Sequence, residues 1–222
     1  DIGYIGGGAV WMPASGQAVI ITPNEKSFGD YVLARPDSGI KTVKDLRGRK
    51  VGVPDSGSGE MILAMALDAN GMSFKDIQRI PLDPPNVAAA FISGQIEAAG
   101  IFSPIVNQIR ERIPGTVLVA NNRDFPNTEF VGGWVASNQA IAGKADAVTR
   151  FLEVWQEVND YRLKNTKAVV EWAAAASGAP AGQLQGQADS GEWWSSAQIL
   201  ADNKSGLTRR RFVSMQELFV KL

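Results

Sequence analysis

The sequence predicts an α/β fold made of two αβ lobes, and two observations lead to it. Between residues 50 and 120, short apolar segments alternate with helical segments of about ten residues, which is typical of a parallel sheet with helical crossovers. Single apolar strands at residues 31–34 and 130–136 flank this block, and beyond them the alternation stops. Because the chain enters and leaves the block through two strands, we expect one lobe inserted into another, with a hinge at the crossings and a ligand cleft between the lobes.

Local signals set the ends of the elements in this block. Gly71 and Gly94 end two of the helices, because glycine readily adopts the left-handed conformation that follows a helix. Pro104 opens the third helix, where the first turn tolerates proline. The predicted order is strand 50–53, helix 59–70, strand 77–81, helix 86–93, strand 97–101, helix 104–112 and strand 116–120.

The segments outside the block combine a short strand with a helical C-terminal part. Residues 18–21 form an apolar strand. Residues 145–163 place Val148, Leu152 and Trp155 at i, i+4 and i+7, which is the spacing of one face of an amphipathic helix. Further helices are predicted at 167–177, 181–188, 195–201 and 211–222.

The composition excludes several classes of function. The 222 residues include no Cys and no His, which removes disulfide frameworks, thiolate nucleophiles, Ser-His-Asp triads and most transition-metal sites. With 22 Lys and Arg against 23 Asp and Glu, the net charge of −1 gives no electrostatic basis for binding nucleic acid or an anionic membrane. No apolar run approaches the roughly 18 residues of a membrane span, and the run Arg209-Arg210-Arg211 is expected to be a solvated face. We therefore expect neither a metal nor a cofactor.

The loop between residues 53 and 60 is the strongest local candidate for a binding site. Gly57, Ser58 and Gly59 lie where a strand meets the start of a helix, so that free backbone N–H groups and the helix dipole would favour an anion. The loop lacks the Gly-Lys-Ser/Thr of a P-loop. The alternative is that Ser58 only caps its own helix. Glu60 also has two interpretations: a carboxylate that stabilises the helix dipole, which we favour, or the partner of a ligand ammonium.

Two aromatic residues extend this candidate site. Phe102 ends a strand, and Trp134 lies on the returning strand, two residues after Gly132. Aromatic side chains at strand ends line clefts about as often as they belong to a core. Both interpretations stay open for Phe102 and Trp134.

Five segments, taken in order, form a recognisable set of motifs. They are DIGYIGG at 1–7, VKDLRGRKV at 43–51, LDPPNVAAA at 82–90, GQIEAA at 94–99 and SPIV at 103–106. In this order and spacing, the chain resembles the periplasmic substrate-binding proteins of ABC importers for taurine, alkanesulfonates, nitrate and related solutes. The resemblance extends over nearly the whole chain, and the third and fourth motifs are most similar to the taurine-binding branch.

The resemblance implies a type II periplasmic-binding-protein fold, in which two crossing strands join two αβ lobes. Lobe I would comprise residues 1–35 and 130–222, and lobe II residues 36–129. The resemblance also implies that two βα units, roughly 60 residues, precede Asp1. A sequence that starts within a strand and its glycine turn agrees with this, so we expect the first lobe to be truncated at its N-terminus.

The resemblance also assigns ligand contacts. The Ser/Thr-rich turn of the family corresponds to Gly57 and Ser58, of which Ser58 keeps a hydroxyl group. The Trp-x-Pro motif of the taurine branch corresponds to Phe102 and the two residues after it, so that a phenyl ring replaces an indole. Together with the glycine turn of lobe I, the predicted ligand-binding residues are Gly6, Gly7, Gly57, Ser58, Gly59, Glu60, Phe102 and Trp134.

One departure from the family pattern concerns the charge of the ligand. The taurine branch has an acidic residue two positions before the aromatic residue that corresponds to Trp134, and this chain has Gly132 there. An amine-bearing ligand such as taurine would then need a carboxylate from Glu129 or Glu60. The pattern therefore favours an anionic ligand other than taurine.

The function implied by the resemblance is solute binding. We expect an extracytoplasmic, monomeric protein that captures a small anionic, sulfonate-like solute in the cleft and delivers it to an ABC permease. Enzymes that resemble this family, such as desulfinases, rely on Cys or His, and the chain has neither, so an enzyme is not favoured. The alternative is a ligand-sensing domain of a regulator or sensor with the same fold.

Overall fold

Two β-sheets of different construction organise the chain, one in each of two structural units. The computed structural model describes residues 1–221. Unit 1 comprises Asp1–Ser27 and Thr128–Lys221, and unit 2 comprises Phe28–Asn127. The chain therefore leaves unit 1 after Ser27 and returns to it at Thr128.

Strands and helices alternate through much of the chain, which confirms the predicted α/β fold. The strands of the described residues are, in chain order, β1 (Ile2–Ile5), β2 (Ala18–Ser27), β3 (Asp30–Ala34), β4 (Lys50–Val53), β5 (Gln78–Pro81), β6 (Ala98–Phe102), β7 (Val117–Asn121), β8 (Phe130–Ser137) and β9 (Gly191–Trp193). The α-helices are α1 (Trp11–Ala14), α2 (Ser58–Ala69), α3 (Pro84–Ser93), α4 (Ile105–Arg112), α5 (Asn138–Gly143), α6 (Ala145–Lys164), α7 (Thr166–Ser177), α8 (Ala181–Ala188), α9 (Ser196–Lys204) and α10 (Leu207–Lys221). Short 3₁₀ helices cover Gly7–Ala9, Val43–Leu46, Phe74–Asp76 and Asn122–Asp124. Among the helices within residues 1–221, none combines the length and the apolar character needed to cross a bilayer.

Unit 2 contains a five-stranded sheet in which four strands run in one direction. The order is β5-β4-β6-β3-β7, with β4 parallel to β5 and β6, and β3 antiparallel to β6 and β7. The sequence pattern predicted the parallel part. It missed that β3 lies between β6 and β7, because both of these neighbours are distant from β3 in sequence. This pairing places β3 in unit 2, so that the unit begins at Phe28, whereas the sequence placed the lobe boundary after residue 35.

Helices cover both faces of the unit 2 sheet. Ala99 and Ile101 of β6 belong to a buried cluster with Phe91 of α3 and Ile109 of α4. Gly100 lies between them and, because side chains alternate along a strand, points to the opposite face. On that face it meets the first turns of α2.

The first turn of α2 packs backbone against backbone on β6. A Cβ atom on Gly59 would lie 2.6 Å from the Gly100 carbonyl oxygen, and a Cβ atom on Gly100 would overlap the Gly59 carbonyl oxygen. Neither oxygen can move away unless a whole helix or strand shifts. Both positions therefore require glycine, and the contact fixes where α2 begins relative to the end of β6.

Unit 1 contains a four-stranded antiparallel sheet of order β1-β8-β2-β9. Val131 of β8 packs in an apolar cluster with Phe212 and Met215 of α10. Ala136 of β8 packs with Val148 of α6 in a different cluster. Because residues an odd number apart on a strand point to opposite faces, α6 and α10 lie on opposite faces of this sheet.

Strand β2 is longer than the sequence predicted, with ten residues instead of four. Its second half contains Thr22, Asn24 and Glu25, which are polar but buried. The apolar pattern therefore breaks off after Ile21, although the strand continues. Strand β9 was also not predicted, because Gly191–Trp193 has only three residues and contains no alternation to recognise.

The prediction of a solvated arginine run is wrong for Arg211. Arg209 and Arg210 are exposed, but the Arg211 side chain is only 12 % exposed. It donates hydrogen bonds to Glu129 and, at 2.5 Å, to Asp202. Its guanidinium carbon also lies 4.2 Å from a ring centroid of the buried Trp194, so that this residue ties α10 to the rest of unit 1.

We predict that Gly100→Ala destabilises unit 2. The added methyl group meets the backbone of α2, so helix and strand must separate, and overpacking of this kind lowers the unfolding free energy by about 1–3 kcal/mol. The matched control is Gly143→Ala, because no atom lies within 4 Å of the position that its Cβ would take. Urea titration followed by circular dichroism measures both variants, and a Gly100→Ala protein as stable as wild type would contradict the packing argument.

Candidate functional site

A pocket of about 560 Å³ lies at the edge of the unit 2 sheet where β4, β5 and β6 end. In open α/β sheets, ligands bind in the loops that follow the carboxyl ends of parallel strands. Helices α2 and α3 begin at this same edge and carry a partial positive charge at their N-termini. The lining residues are Pro54, Asp55, Gly57, Pro81, Leu82, Asp83, Pro84, Asn86 and Phe102.

Helix α2 begins at this pocket without a side-chain cap. Gly57 is the N-cap residue in extended backbone conformation (φ −115°, ψ 170°), and its carbonyl accepts the N–H groups of Glu60 and Met61. The prediction that Ser58 is the N-cap is wrong by one residue, because Ser58 is already helical. Within residues 1–221, the backbone N–H groups of Ser58 and Gly59 have no hydrogen-bond acceptor, as is usual in a first turn. This helix end is therefore able to accept an anion.

An arginine of the neighbouring strand holds the loop that leads into α2. Arg79 of β5 donates to the Glu60 carboxylate at 2.5 Å and also to the Asp55 carboxylate. The second oxygen of Glu60 accepts the backbone N–H of Ser56 at 2.6 Å, and Ser56 has the left-handed φ of 57° that this turn requires. Both carboxylate oxygens of Glu60 therefore have partners, one in Arg79 and one in the backbone N–H of Ser56.

Helix α3 contributes fewer hydrogen-bond donors to the pocket than α2. Its first two residues, Pro84 and Pro85, have no backbone N–H group. Its N-cap residue Asp83 lines the pocket and makes no capping hydrogen bond with its side chain. The backbone donors at this pocket therefore come mainly from α2.

The structure brings together part of the predicted site in unit 2. Gly57 and Phe102 both line the pocket, and the half-buried Phe102 ring adds to an apolar wall with Pro54. Ser58 is half-buried directly after Gly57. Gly59 is buried against β6 and has a packing role. The assignment of these residues to ligand binding stays a prediction.

The other predicted residues lie in unit 1 and have different environments. Gly6 is exposed, with no atom within 4 Å of the position of a Cβ, and it precedes the 3₁₀ helix Gly7–Ala9 as its N-cap. Gly7 is buried, and a Cβ there would lie 3.2 Å from the Phe130 Cβ. Gly6 thus presents open backbone, whereas Gly7 is a packing position.

Trp134 belongs to an aromatic cluster on the face of the unit 1 sheet that α6 covers. Its ring meets those of Tyr4, Phe151 and Trp155 edge-on, at centroid distances of 5.5, 5.0 and 5.4 Å. Its indole Nε1 is buried and has no hydrogen-bond acceptor within residues 1–221. An unsatisfied buried donor costs about 1–3 kcal/mol unless a water or a ligand accepts its hydrogen bond.

A buried carboxylate that the sequence analysis missed lies beside Tyr4. Glu25 is 6 % exposed and accepts a hydrogen bond from the Tyr4 hydroxyl. It pairs with Gly132 across β2 and β8, and a Cβ on Gly132 would overlap the Glu25 carboxylate. Glu25 thus fills the space beside the position where the family resemblance places an acidic residue. The available signal was a charged residue soon after the apolar run 18–21, but the strand was predicted to end there.

Burial changes the acid–base properties of this cluster. Desolvation raises the pKa of Glu25, and hydrogen bonds from Tyr4 and Asn24 and the charge of Arg162 oppose only part of this effect. Burial of the hydroxyl beside Glu25 raises the pKa of Tyr4, even though 43 % of the residue is exposed, because the hydroxyl itself points inward. Burial lowers the pKa of Arg162, whose guanidinium lies 4.2 Å from a ring centroid of Trp193.

The other two carboxylates considered for an amine-bearing ligand form ion pairs. Glu129 pairs with Arg211 and, at 3.5 Å, with Lys26, and Glu60 pairs with Arg79. In the part of the chain that the structure describes, no three acidic side chains are grouped so that they could hold a metal ion. The carboxylates of Glu129 and Glu60 are therefore engaged as partners of arginine.

Comparison of the sequence with known proteins gives the family. Residues 20–169 match the family described as NMT1/THI5 like. A protein of Brucella abortus, described as a candidate binding protein, is 38 % identical over 221 residues, which cover 99 % of this chain and 69 % of that protein. The chain belongs to the NMT1/THI5 like family. The relatives in this family that carry a functional description are solute-binding proteins.

Solved structures confirm the periplasmic-binding-protein fold of this NMT1/THI5 like chain. The alkanesulfonate-binding protein SsuA from Xanthomonas axonopodis pv. citri, bound to MOPS, has a TM-score of 0.73 at 20 % identity, covering 98 % of this chain and 76 % of that one. The desulfurization enzyme DSZB has a TM-score of 0.71 at 15 % identity, covering 99 % of this chain and 78 % of that one. Because one of these structures is a binding protein and the other is an enzyme, the fold alone does not decide between solute binding and catalysis.

We predict that Glu25→Gln changes how the unfolding free energy depends on pH. The pKa of Glu25 is raised above its ordinary value of 4.5, so wild type loses stability as the pH rises through this raised pKa and the buried carboxyl ionises. Gln accepts the same hydrogen bond from Tyr4 but does not titrate. The variant should resemble wild type most closely near pH 4 and gain relative stability as the pH rises.

Urea unfolding at several values between about pH 4 and pH 8 checks this prediction. The control is Glu153→Gln, which changes an exposed carboxyl on α6 in the same unit. A difference between Glu25→Gln and wild type that stays constant over this pH range would show that Glu25 is not protonated preferentially in the folded state.

Proposed function

We propose that this chain is the solute-binding component of an ABC importer and that it captures a small anionic, sulfonate-like organic solute. The observation that carries this proposal is the pocket of unit 2, at which the uncapped N-terminus of α2 begins. The backbone N–H groups of Ser58 and Gly59 would donate to the oxygens of the anion, and the helix dipole would favour its charge. Phe102 and the prolines of the pocket would contact the organic part of the solute.

The relatives support this class of ligand. The SsuA neighbour is an alkanesulfonate-binding protein, and a taurine-binding periplasmic protein of Escherichia coli is 26 % identical to this chain over 179 residues. A sulfonate has one negative charge spread over three oxygens, each of which accepts hydrogen bonds from backbone donors. This geometry suits a helix terminus that offers N–H groups and no side-chain cation.

We further propose that the protein acts outside the cytoplasm as a monomer, delivers its solute to a membrane permease and does not transform it. The names of the periplasmic relatives support the location. The lack of Cys and His supports binding over catalysis, because the chain has neither the usual nucleophile nor the usual general base. Mass spectrometry of ethanesulfonate and of an aromatic sulfinate after incubation with the protein should recover both compounds unchanged, and turnover of either would replace this part of the proposal.

Isothermal titration calorimetry tests the ligand class. We predict saturable binding of ethanesulfonate with one site per chain, at least about tenfold tighter than binding of the uncharged ethanesulfonamide, because the helix terminus favours the anion. Taurine, nitrate and benzoate complete the panel. Failure of the chain to bind every anion of the panel would overturn the proposed function.

Gly57→Leu tests the location of this binding. The Gly57 backbone is extended and the nearest atoms lie 3.8 Å from the position of its Cβ, so a Cβ atom is tolerated there and the rest of a larger side chain adds bulk at the pocket wall. We expect ethanesulfonate to bind at least about tenfold more weakly. Gly143→Leu, at an open position in unit 1, should leave the affinity unchanged, and an unchanged affinity in Gly57→Leu would place the anion elsewhere.

A further inference from the structure

Acidic side chains near the unit 2 pocket oppose the binding of an anion, and the backbone donors of α2 do not neutralise their charge. Asp55 and Asp83 line the pocket, no Lys or Arg is among its lining residues, and Glu60 lies in the first turn of α2. A carboxylate close to a bound anion repels it, and water screens this repulsion less at the half-buried Glu60 than at the exposed Asp55 and Asp83. Some group has to compensate these charges if the pocket is to hold an anion.

We propose that Arg79 sets the charge of this pocket by compensating Asp55 and Glu60, and that it is thereby a determinant of anion selectivity. The inference rests on the proposed anion-binding function and deepens it. One nitrogen of Arg79, Nη2, donates to both carboxylates, at 2.5 Å to Glu60 and also to Asp55. The arginine reduces the charge of this group of three side chains from −2 to −1.

The surroundings of Arg79 keep this compensation effective. The Arg79 side chain is 31 % exposed and that of Glu60 is 23 % exposed, so that water screens their pair only in part. The guanidinium carbon lies 5.3 Å from the Phe74 ring centroid, and the ring restricts where the guanidinium can move. Asp55 reaches the same nitrogen from the pocket wall. Arg79 therefore compensates the charge at the pocket without lining it and without competing for the space of the solute.

Arg79→Gln separates electrostatic compensation from simple support of the loop, because Gln still offers N–H donors to the carboxylates but carries no charge. We expect ethanesulfonate to bind about tenfold more weakly at low ionic strength, and we expect this loss to shrink as salt screens the uncompensated carboxylates. The double variant Arg79→Gln/Asp55→Asn restores the group to a charge of −1 and should recover most of the affinity. If Arg79 only supported the loop, the loss would not depend on salt and Asp55→Asn would not recover it.

Asp55→Asn alone gives a test that keeps Arg79 in place. It brings the group of three side chains to zero net charge, so ethanesulfonate should bind several-fold more tightly than in wild type, and equal or weaker binding would contradict the inference. The measurement on Asp55→Asn still decides the question if the Arg79→Gln variant fails to fold.

The matched control is Arg49→Gln. Arg49 pairs with Glu97 at 2.7 Å in the same unit, next to the start of β4 and thus at the opposite end of this strand from the pocket. The affinity of the Arg49→Gln variant for ethanesulfonate should equal that of wild type. A wild-type chain that binds no anion overturns the proposed function, whereas a wild-type chain that binds ethanesulfonate and an Arg79→Gln variant that binds it equally well overturn only the role of Arg79.

Discussion

The contact between Gly59 and Gly100 determines where helix α2 begins relative to the edge of the unit 2 sheet. Two residues without side chains let the first turn of α2 lie directly on β6. The helix terminus therefore opens at the carboxyl edge of the sheet, close to Phe102 at the end of β6. If either glycine were larger, α2 would have to lie farther from the sheet, and its free N–H groups would move away from the pocket wall that Phe102 helps to form.

The carboxylates discussed in the two units differ in how far they are exposed to water and in how they are paired. In unit 2, Asp55 and Asp83 near the pocket are exposed and Glu60 is half-buried, and Arg79 pairs with Asp55 and Glu60. In unit 1, the carboxylate of Glu25 is buried beside the Tyr4 hydroxyl, and its Oε2 atom has no hydrogen-bond partner within the described residues. The second arrangement costs more free energy, because a buried charge is not screened and an unsatisfied oxygen loses its hydration. Such a cost is offset only by packing elsewhere in the unit, which the clusters on both faces of its sheet supply.

The parts of the structure that sequence reasoning predicted are those with local signals. Gly71, Gly94 and Pro104 mark helix ends in the sequence, and the corresponding helices end or begin within a few residues of them. Contacts between distant residues left no such mark. Arg79 reaches Glu60 across 19 positions and Asp55 across 24, so a site centred on residues 53–60 showed its backbone donors but not the cation that compensates its charge.

Under the proposed function, the backbone donors of the pocket would serve reversible capture of the solute. Backbone N–H groups at a helix terminus are held by the fold, do not titrate and cannot form a covalent bond to the solute. They stabilise an anion in its ground state, and an interaction that is equally strong in the ground state and the transition state does not accelerate a reaction. The chain shares its fold with a desulfurization enzyme, but at this pocket its functional groups are fixed dipoles, carboxylates and one compensating arginine. Under the proposed function, such a set of groups would hold an anion through its charge and release it chemically unchanged.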